Sequence, residues 1–507
     1  GTSTAKEGRE DFECIEKNTI NYTFNNSEDS SDMNGINLAF SKATKINTDK
    51  RKDWVRTTMK LVEKQKQTKK SIIDYNIKSL SIKSFIDGEL GIHSLYDNER
   101  SIPHVLDGLK PSQRKILFSC FKRNLKDTES GEVKVAQLSG YVSEHSGYHH
   151  GEVSLQQAII GMAQNFVGSN NMNYLVPNGQ FGTRLAGGSD SSSPRYIFTY
   201  FNSWIKDLYD NYDCQLLNYL DDDGHSIEPE YYMPIIPMLL VNGTIGIGTG
   251  WSSTIPCFNP KDIINNLKRL IEDEENDICL MNPWYKGFKG KIIQISESHW
   301  ECRGVVIRQD PKGDYQDVIV TELPIGVWTD NYKEKLEKLE NENKILGYWN
   351  SSTDTEVNIK IKFTWDNLDD HNDYSLLSML GLITNIRTSN MHAFYNGEVK
   401  RYDSAEEILW EFYLCRKQFY VKRKIHILEL MNSELIELRE KYRFMTMVMN
   451  DEIKVFRKPK NEIINQLENN NFTQFDALLG IKLYSFTEEK LILLEEKIQT
   501  LENEKTI

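Results

Sequence analysis

From residue 404 onward the apolar positions follow a helical period. Leu428, Met431, Leu435, Leu438, Tyr442, Met445 and Met449 are spaced alternately by three and four, which is the seam of a coiled coil. Leu491, Leu494, Ile498 and Leu501 repeat the spacing. Ser404-Ala-Glu-Glu407 and Ser485-Phe-Thr-Glu488 stand ahead of the two runs, and each fits a capping box. Between them lie Lys458-Pro-Lys460 and a short globular stretch. The pattern predicts an antiparallel helical pair capped by a small helical knob. The knob is either a dimer contact or the end of an intramolecular hairpin.

Residues 256–403 read mainly as strands with helical insertions. Val357, Ile359, Ile361 and Phe363 alternate with polar residues, as in a half-buried strand. Ile292-Ile-Gln-Ile and Val305-Val-Ile are further strand candidates, and Pro311-Lys-Gly-Asp314 marks a turn before Val318. Residues 86–255 are compact and less charged. Pro111 fits a helix start, followed by Ile116, Leu117, Cys120 and Phe121 at helical spacing. After Glu152, a second helix draws its apolar face from Leu155, Ile159, Ile160, Met162, Ala163 and Phe166. Two short helices followed by loop and strand material suggest a winged helix-turn-helix. Residues 1–85 are polar. Asn25–Gly35 has loop or disorder composition, and Asp49-Lys-Arg-Lys-Asp-Trp54 opens a helix running into the lysine-rich 60–70 region.

The chain has 507 residues, room for roughly three or four domains. Its net charge of −13 argues against a nucleic-acid binder, but the distribution softens that. Lys110, Arg114, Lys115, Lys122, Arg123 and Lys126 lie in a stretch without acidic residues, while the acidic excess sits around Glu488–Glu504. A basic face within an acidic chain is expected. The scattered cysteines, with no Cys-x-x-Cys pair, point to a reducing compartment and away from a disulfide framework or zinc ribbon. No apolar run of about eighteen residues appears, and no signal peptide opens the chain. The first residues lack a starting Met and read as the middle of a longer protein.

Candidate chemistry gathers around Gly182–Thr199. A flexible, small-residue loop there delivers Arg195 and Tyr196 onto Ile197-Phe198, which reads as a strand. A phenol is a poor nucleophile at neutral pH because its unperturbed pKa is about 10. An adjacent guanidinium stabilises both a phenolate and a phosphate oxyanion. The pair suits attack on a phosphodiester through a covalent tyrosyl intermediate, although an Arg-Tyr dipeptide is most often plain surface strand. His145, His149 and His150 lack the further ligands of a zinc site, and Ser146-Gly147 argues for a loop between them. Contact with phosphate or with the tyrosine competes there with a structural role. Gly246, Gly248 and Gly250 alternate and match no nucleotide-binding motif. Ile247 between them is either an apolar wedge that kinks DNA or a core residue.

Several stretches together resemble the breakage-and-rejoining core of eukaryotic-type type IIA DNA topoisomerases. They are Glu99-Arg-Ser-Ile-Pro, Asp107-Gly-Leu-Lys-Pro-Ser-Gln-Arg-Lys, Tyr148-His-His-Gly-Glu, Ala163-Gln-Asn-Phe-Val-Gly-Ser-Asn-Asn, Gly179-Gln-Phe-Gly-Thr-Arg, Pro194-Arg-Tyr-Ile-Phe-Thr and Gly246-Ile-Gly-Thr-Gly-Trp. The resemblance implies an α+β multidomain chain. Residues 1–85 would be a linker following a Toprim domain, 86–255 a winged-helix domain with the catalytic tyrosine, 256–404 a mixed α/β tower, and 405–507 a coiled coil with a helical dimerisation knob. It implies that Tyr196 becomes linked to the 5′ end of a cut strand and that Arg195 stabilises the transition state. Arg114 and His150 would stand near the scissile phosphate, and Ile247 would bend the duplex. Arg51, Lys52, Lys110, Tyr148, Ser154 and Trp328 would contact DNA. The partners implied are double-stranded DNA and a second copy, bound through the coiled-coil end, in the nucleus. The family's cofactors are Mg²⁺, held by Toprim residues upstream of this chain, and ATP, used by a region also absent. On that basis the chain alone is expected to bind DNA but to cleave it poorly. The Asp127–Glu132 loop looks longer than the family's. A non-catalytic architectural or scaffold module is the competing expectation. A tyrosine recombinase is a weaker one, since its dispersed Arg/His/Arg arrangement is missing.

Overall fold

A computed structural model describes residues 4–42, 44–68, 77–274, 277–364, 368 and 371–506. The fold is α+β, in two compact units: Gly1–Asp210 with Leu217–Cys415, and Asn211–Leu216 with Arg416–Ile507.

In the first unit, helices Ser31–Phe40, Lys45–Thr68 and Gly91–Ser101 share a core of Trp54, Val55, Ile86, Leu95 and Trp251. The segment expected to be loop at Asn25–Gly35 is half helix. Ser30 caps it by accepting from Met33 N at 3.2 Å. Asp32, buried, ties the turn down by accepting from Asn25 N at 2.8 Å and Lys83 N at 2.9 Å. The polar side chains there satisfy backbone, not solvent. Next come helices Pro111–Lys122, Val135–Ser146 and Glu152–Ala163, where Ile116, Leu117, Val135, Leu138, Val142, Leu155, Ile159 and Ile160 are almost wholly buried. The middle helix was not expected, because its buried face includes Ser139 and Ser146. The third ends at Ala163, so Phe166 lies beyond it and packs edge-on to Trp328 instead. A 3-stranded antiparallel sheet follows, with Phe198–Phe201 between Val133–Lys134 and Leu175–Asn178.

His104 lies just before the first of these helices, stacked flat on Tyr231 with ring centroids 4.8 Å apart. Burial pushes its pKa down to about 4, against an upward pull from Asp107. The folded state therefore keeps it neutral, while the unfolded chain protonates near 6.5. As pH falls from about 6.5 to 4 the unfolded state binds the extra proton, and up to about 3 kcal/mol of stability is lost. Thermal unfolding at pH 7 and pH 5 should show a drop that His104→Asn makes smaller. An equal drop in both proteins would sink the assignment.

Residues beyond 256 form a 3-stranded and a 4-stranded sheet, and helices Thr329–Asn341 and Asp373–Leu380 pack on the latter through Leu336, Leu339, Leu376 and Leu380. The alternation read at 357–363 holds. Ile359, Ile361 and Phe363 are fully buried, while Lys360 and Lys362 point out over Trp349 and Tyr315.

In the second unit the helix Ala405–Met449 continues past Arg416 and pairs with Glu488–Thr506. Phe486, just ahead of the second helix, packs edge-on against Phe444 at 6.1 Å, and farther from the knob Arg439 bonds Glu502, so the pair is antiparallel. Of the seam positions Leu435 and Met445 are buried and Met449 is exposed, since the helix ends there. A cluster of Phe444, Ile453, Ile463, Leu467, Phe472 and Leu478 forms the helical knob. The first cap stands as read, with Ser404 Oγ accepting from Glu407 N at 3.1 Å. The second moves two residues. Thr487 Oγ1, not Ser485, accepts from Lys490 N at 3.4 Å.

Candidate functional site

Tyr196 sits in a turn seated on the start of the Val135–Ser146 helix. Val135 N donates to Ile197 O at 3.1 Å and Ala136 N to Pro194 O at 3.0 Å. These two N–H groups belong to the helix's first turn, which has no intrahelical acceptors for them. Ile197 is buried, so its neighbours Arg195 and Tyr196 are turned outward, and Tyr196 is 72% exposed.

The loop ahead of this turn is strapped, not flexible as its glycines and serines suggested. Arg184, 6% exposed, pairs with the fully buried Glu322, whose carboxylate also accepts from Leu323 N at 3.0 Å and Lys289 N at 3.1 Å. Asp190 accepts from Thr183 N at 2.8 Å and Thr183 Oγ1 at 2.6 Å. Burial pushes the Asp190 carboxyl up, but these bonds outweigh it and hold the pKa below the usual carboxylate range. Gln164 Nε2 donates to Phe181 O and Gly188 O, and Asp330 N to Leu185 O. Gly187, at φ +62°, lies against the Trp328 indole, where an added Cβ would come within 2.3 Å of its nitrogen. Trp328 is thus packed beneath the loop.

The cations at 110–126 are only partly free, because acids from elsewhere meet them. Arg114 is buried, its Nε and Nη2 donating to Asp107 at 2.8 and 3.1 Å and Nη2 also to Leu109 O at 2.9 Å. Burial lowers its proton affinity, yet the Asp107 charge outweighs that and leaves the pKa raised. Asp107, fully buried, also accepts from Leu109 N and Tyr232 N at 2.9 Å. Arg114 is therefore a bolt of the fold with little left to offer a phosphate. Lys115 reaches Glu228 at 2.9 Å, and Lys110 Nζ donates to Ile245 O at 2.8 Å.

The histidines divide three ways. His145 belongs to the helix, which runs to Ser146 and is capped by Gly147 in the left-handed region, so of the expected loop Ser146 is still helical. Its Nδ1 lies 3.0 Å from Tyr141 O. His149 Nε2 meets Asp222 at 3.2 Å. His150 is exposed, edge-on to Tyr148 at 5.4 Å. Its partial burial, then the charges of Arg100, His149 and Lys115, hold its pKa below the ordinary histidine range. Burial raises the Tyr148 phenol, and Arg100 pulls against it. Arg100 is thus within electrostatic reach of both. Its side chain is exposed and forms no hydrogen bond or ion pair with any described residue. It stands in the Glu99-Arg-Ser-Ile-Pro motif, where the sequence carried a signal but suggested no chemistry. Ser154 is exposed on the first turn of the helix after Gly151.

Ile247 is 78% exposed, which removes the core reading. It ends strand Thr244–Ile247, paired with Ser252–Ile255 in a hairpin. The hairpin is braced by Asn98 Nδ2 to Thr249 O and Thr249 Oγ1 to Asp97, each 3.0 Å. Gly246 allows the brace, since a Cβ there would lie 2.1 Å from Ser101 O. Gly250 lies against Arg51 and Lys52. Arg51 is held by Leu38 O at 2.7 Å and by Ser41 O, and Lys52 stands 3.6 Å from Asp49. Two assemblies result: Arg100, Lys115, Tyr148 and His150 in one, and Arg51, Lys52, Lys110 and Ile247 around the hairpin in the other. Among the described residues no three His, Cys, Asp or Glu are grouped to hold a metal ion, and no helix is long and apolar enough to cross a membrane.

A family model for the A-subunit of DNA gyrase/topoisomerase IV matches residues 100–507. Another, described as the C-terminal associated domain of TOPRIM, matches residues 1–98. The chain is 39% identical to DNA topoisomerase 2 of Candida albicans over 487 residues, 94% of this chain and 31% of that protein. It is 41% identical to the Saccharomyces cerevisiae DNA topoisomerase 2 over 481 residues, 94% of this chain and 32% of that one. It spans about a third of the length of these curated relatives. The crystal structure of the Plasmodium falciparum topoisomerase II DNA-binding, cleavage and re-ligation domain matches with a TM-score of 0.83 and 37% identity, covering 100% of this chain and 70% of that one.

Proposed function

This chain belongs to the type IIA topoisomerase family, which takes in DNA gyrase/topoisomerase IV and the eukaryotic DNA topoisomerase 2 enzymes, and on that footing we propose that it cuts and reseals duplex DNA as the core of a longer, ATP-dependent enzyme. The observation that carries the reading is the outward-facing Arg195-Tyr196 pair on a turn fixed from both sides. Tyr196 Oη attacks the phosphorus, the P–O3′ bond breaks, and the tyrosine becomes esterified to the 5′ phosphate. The phenol gives up its proton and the departing 3′ oxygen takes one up. The 3′ hydroxyl reverses the exchange at religation. His150, kept neutral near pH 7 by its depressed pKa, is suited to receive a proton. Arg195 and Arg100 hold the phosphate oxygens as charge builds. Arg100 takes the place expected of Arg114, which is already committed to Asp107.

Residues 86–255 are proposed as a winged-helix domain, 256–404 as a tower, and 405–507 as a coiled coil. A second copy is proposed to bind at the knob, where Phe456, Leu483 and Tyr484 are exposed. Lys52, Lys110, Tyr148, Ser154 and Ile247 are proposed DNA contacts, with Arg51 and Trp328 positioning the surfaces around them. The proposed setting is the nucleus. Mg²⁺ and ATP are proposed as cofactors of the longer protein on the strength of the family alone, and no step above passes through either.

The test uses the full-length protein with Mg²⁺ and end-labelled duplex, stopped with detergent. The expected result is a protein–DNA adduct that maps by peptide mass to Tyr196. Arg100→Ala should lower its rate of formation by about 10²-fold or more, in line with the loss of one oxyanion donor. DNA binding with no adduct at any residue would favour an architectural module instead.

A further inference from the structure

The hairpin that carries Ile247 carries a second exposed isoleucine. Ile245 is 72% exposed, and Gly246 between the two is buried. Residues two apart on a strand share a face, so both side chains leave the hairpin on the same side. Across the ladder they face Thr254 and Ser252, which are too small to cover them. The opposite face is packed: Ser253 is wholly buried, donates to His392 O at 2.6 Å and accepts from His392 N at 3.0 Å. Thr254 N donates to Asn390 O at 2.8 Å. The strand therefore cannot turn its isoleucines inward.

A single exposed apolar residue needs no explanation. Two together on a braced outward face, with cations at their feet, do. Lys110 Nζ binds the carbonyl of Ile245 itself, and Arg51 and Lys52 flank the loop at Gly250. An apolar tip ringed by cations suits a polyanion whose interior is apolar. Duplex DNA has that chemistry when its base steps open in the minor groove.

We propose that Ile245 and Ile247 enter the minor groove together as a two-pronged wedge. The proposal rests on the DNA-cutting reading above. Two residues of strand advance about 6.7 Å, close to two base-pair rises of about 3.4 Å. The prongs therefore serve steps two apart rather than the same one. Ile247 opens one step, and Ile245 presses the groove nearby and holds the duplex bent over a longer stretch.

The full-length protein, bound to a short duplex with a dye at each end, tests this by energy transfer. Ile245→Thr keeps the β-branch at an exposed position, so its melting temperature should match the parent. It is expected to reduce the bend-dependent transfer and to weaken binding about five-fold, with Ile245→Val close to the parent. Ile247→Ala should also reduce the transfer, and the double variant should fall below either. Parent-like bending and affinity in Ile245→Thr, beside a loss in Ile247→Ala, would overturn the second prong. Binding without bending by the parent would overturn the wedge altogether, whereas the cleavage reading stands or falls separately on the Tyr196 adduct.

Discussion

Tyr196→Phe in the full-length protein should abolish the detergent-trapped adduct and lower DNA relaxation by at least about 10⁴-fold, the scale on which removing a covalent nucleophile acts. Binding should stay within about two-fold of the parent. The contrast follows from how the turn is built. Its position depends on Val135 N to Ile197 O, Ala136 N to Pro194 O and the burial of Ile197. The phenol hydroxyl takes no part in these, and no described residue bonds it. Loss of one exposed oxygen removes the proposed attacking atom and leaves the turn in place. The melting temperature should therefore shift by less than about 1 °C. An adduct that persists would place the nucleophile on another tyrosine. A variant that no longer binds would mean that Tyr196 serves recognition.

Glu322→Ala should act in the opposite manner, destabilising first and impairing chemistry as a consequence. It leaves Arg184 buried and unpaired, a situation that costs about 3–5 kcal/mol. It also removes the acceptor of two backbone N–H groups, at Leu323 and Lys289. The Gly182–Asp190 loop then loses its attachment, so adduct formation should fall even where the protein remains folded. The pair can be checked by a double-mutant cycle. Arg184→Met with Glu322→Leu should recover much of the stability lost by Glu322→Ala, because an apolar pair of similar size relieves the buried charge. Recovery of adduct yield should lag behind, since the hydrogen bonds to the loop and to Lys289 are not restored. Unchanged melting in Glu322→Ala would contradict the assignment of this ion pair as the anchor.

Local pattern carried a large part of the fold. The seam at Leu435 and Met445, the strand at Ile359–Phe363 and the helix at Pro111 all rest on contacts within a few residues or on a regular period. Long-range partners were not legible. Nothing near Gly182–Asp190 announces Glu322, so small residues read as looseness when they were making room for Trp328 and Gln164. The same gap made Arg114 look available, although Asp107 stands only seven positions earlier: no periodicity links a turn residue to the helix that follows it. The Val135–Ser146 helix was missed because hydroxyls fill part of its buried face. Ser139 Oγ bonds Ala136 O and Ser146 Oγ bonds Val142 O, which makes them core residues despite their polarity. Exposure decided Ile247 where the glycines around it could not.

The anchor of the tyrosine loop also sets an order of events during synthesis. Arg184 and Glu322 are separated by 138 positions. At about 5–20 residues per second, the loop leaves the ribosome roughly 7–30 s before its counter-ion does. For that interval Arg184 has no carboxylate to bury against, and the turn bearing Tyr196 can be seated on its helix but not fastened behind. A nascent chain released between these two points would hold Tyr196 on a loop without its anchor. The turn bearing Tyr196 is thus fastened only after the strand Tyr315–Glu322 has been translated.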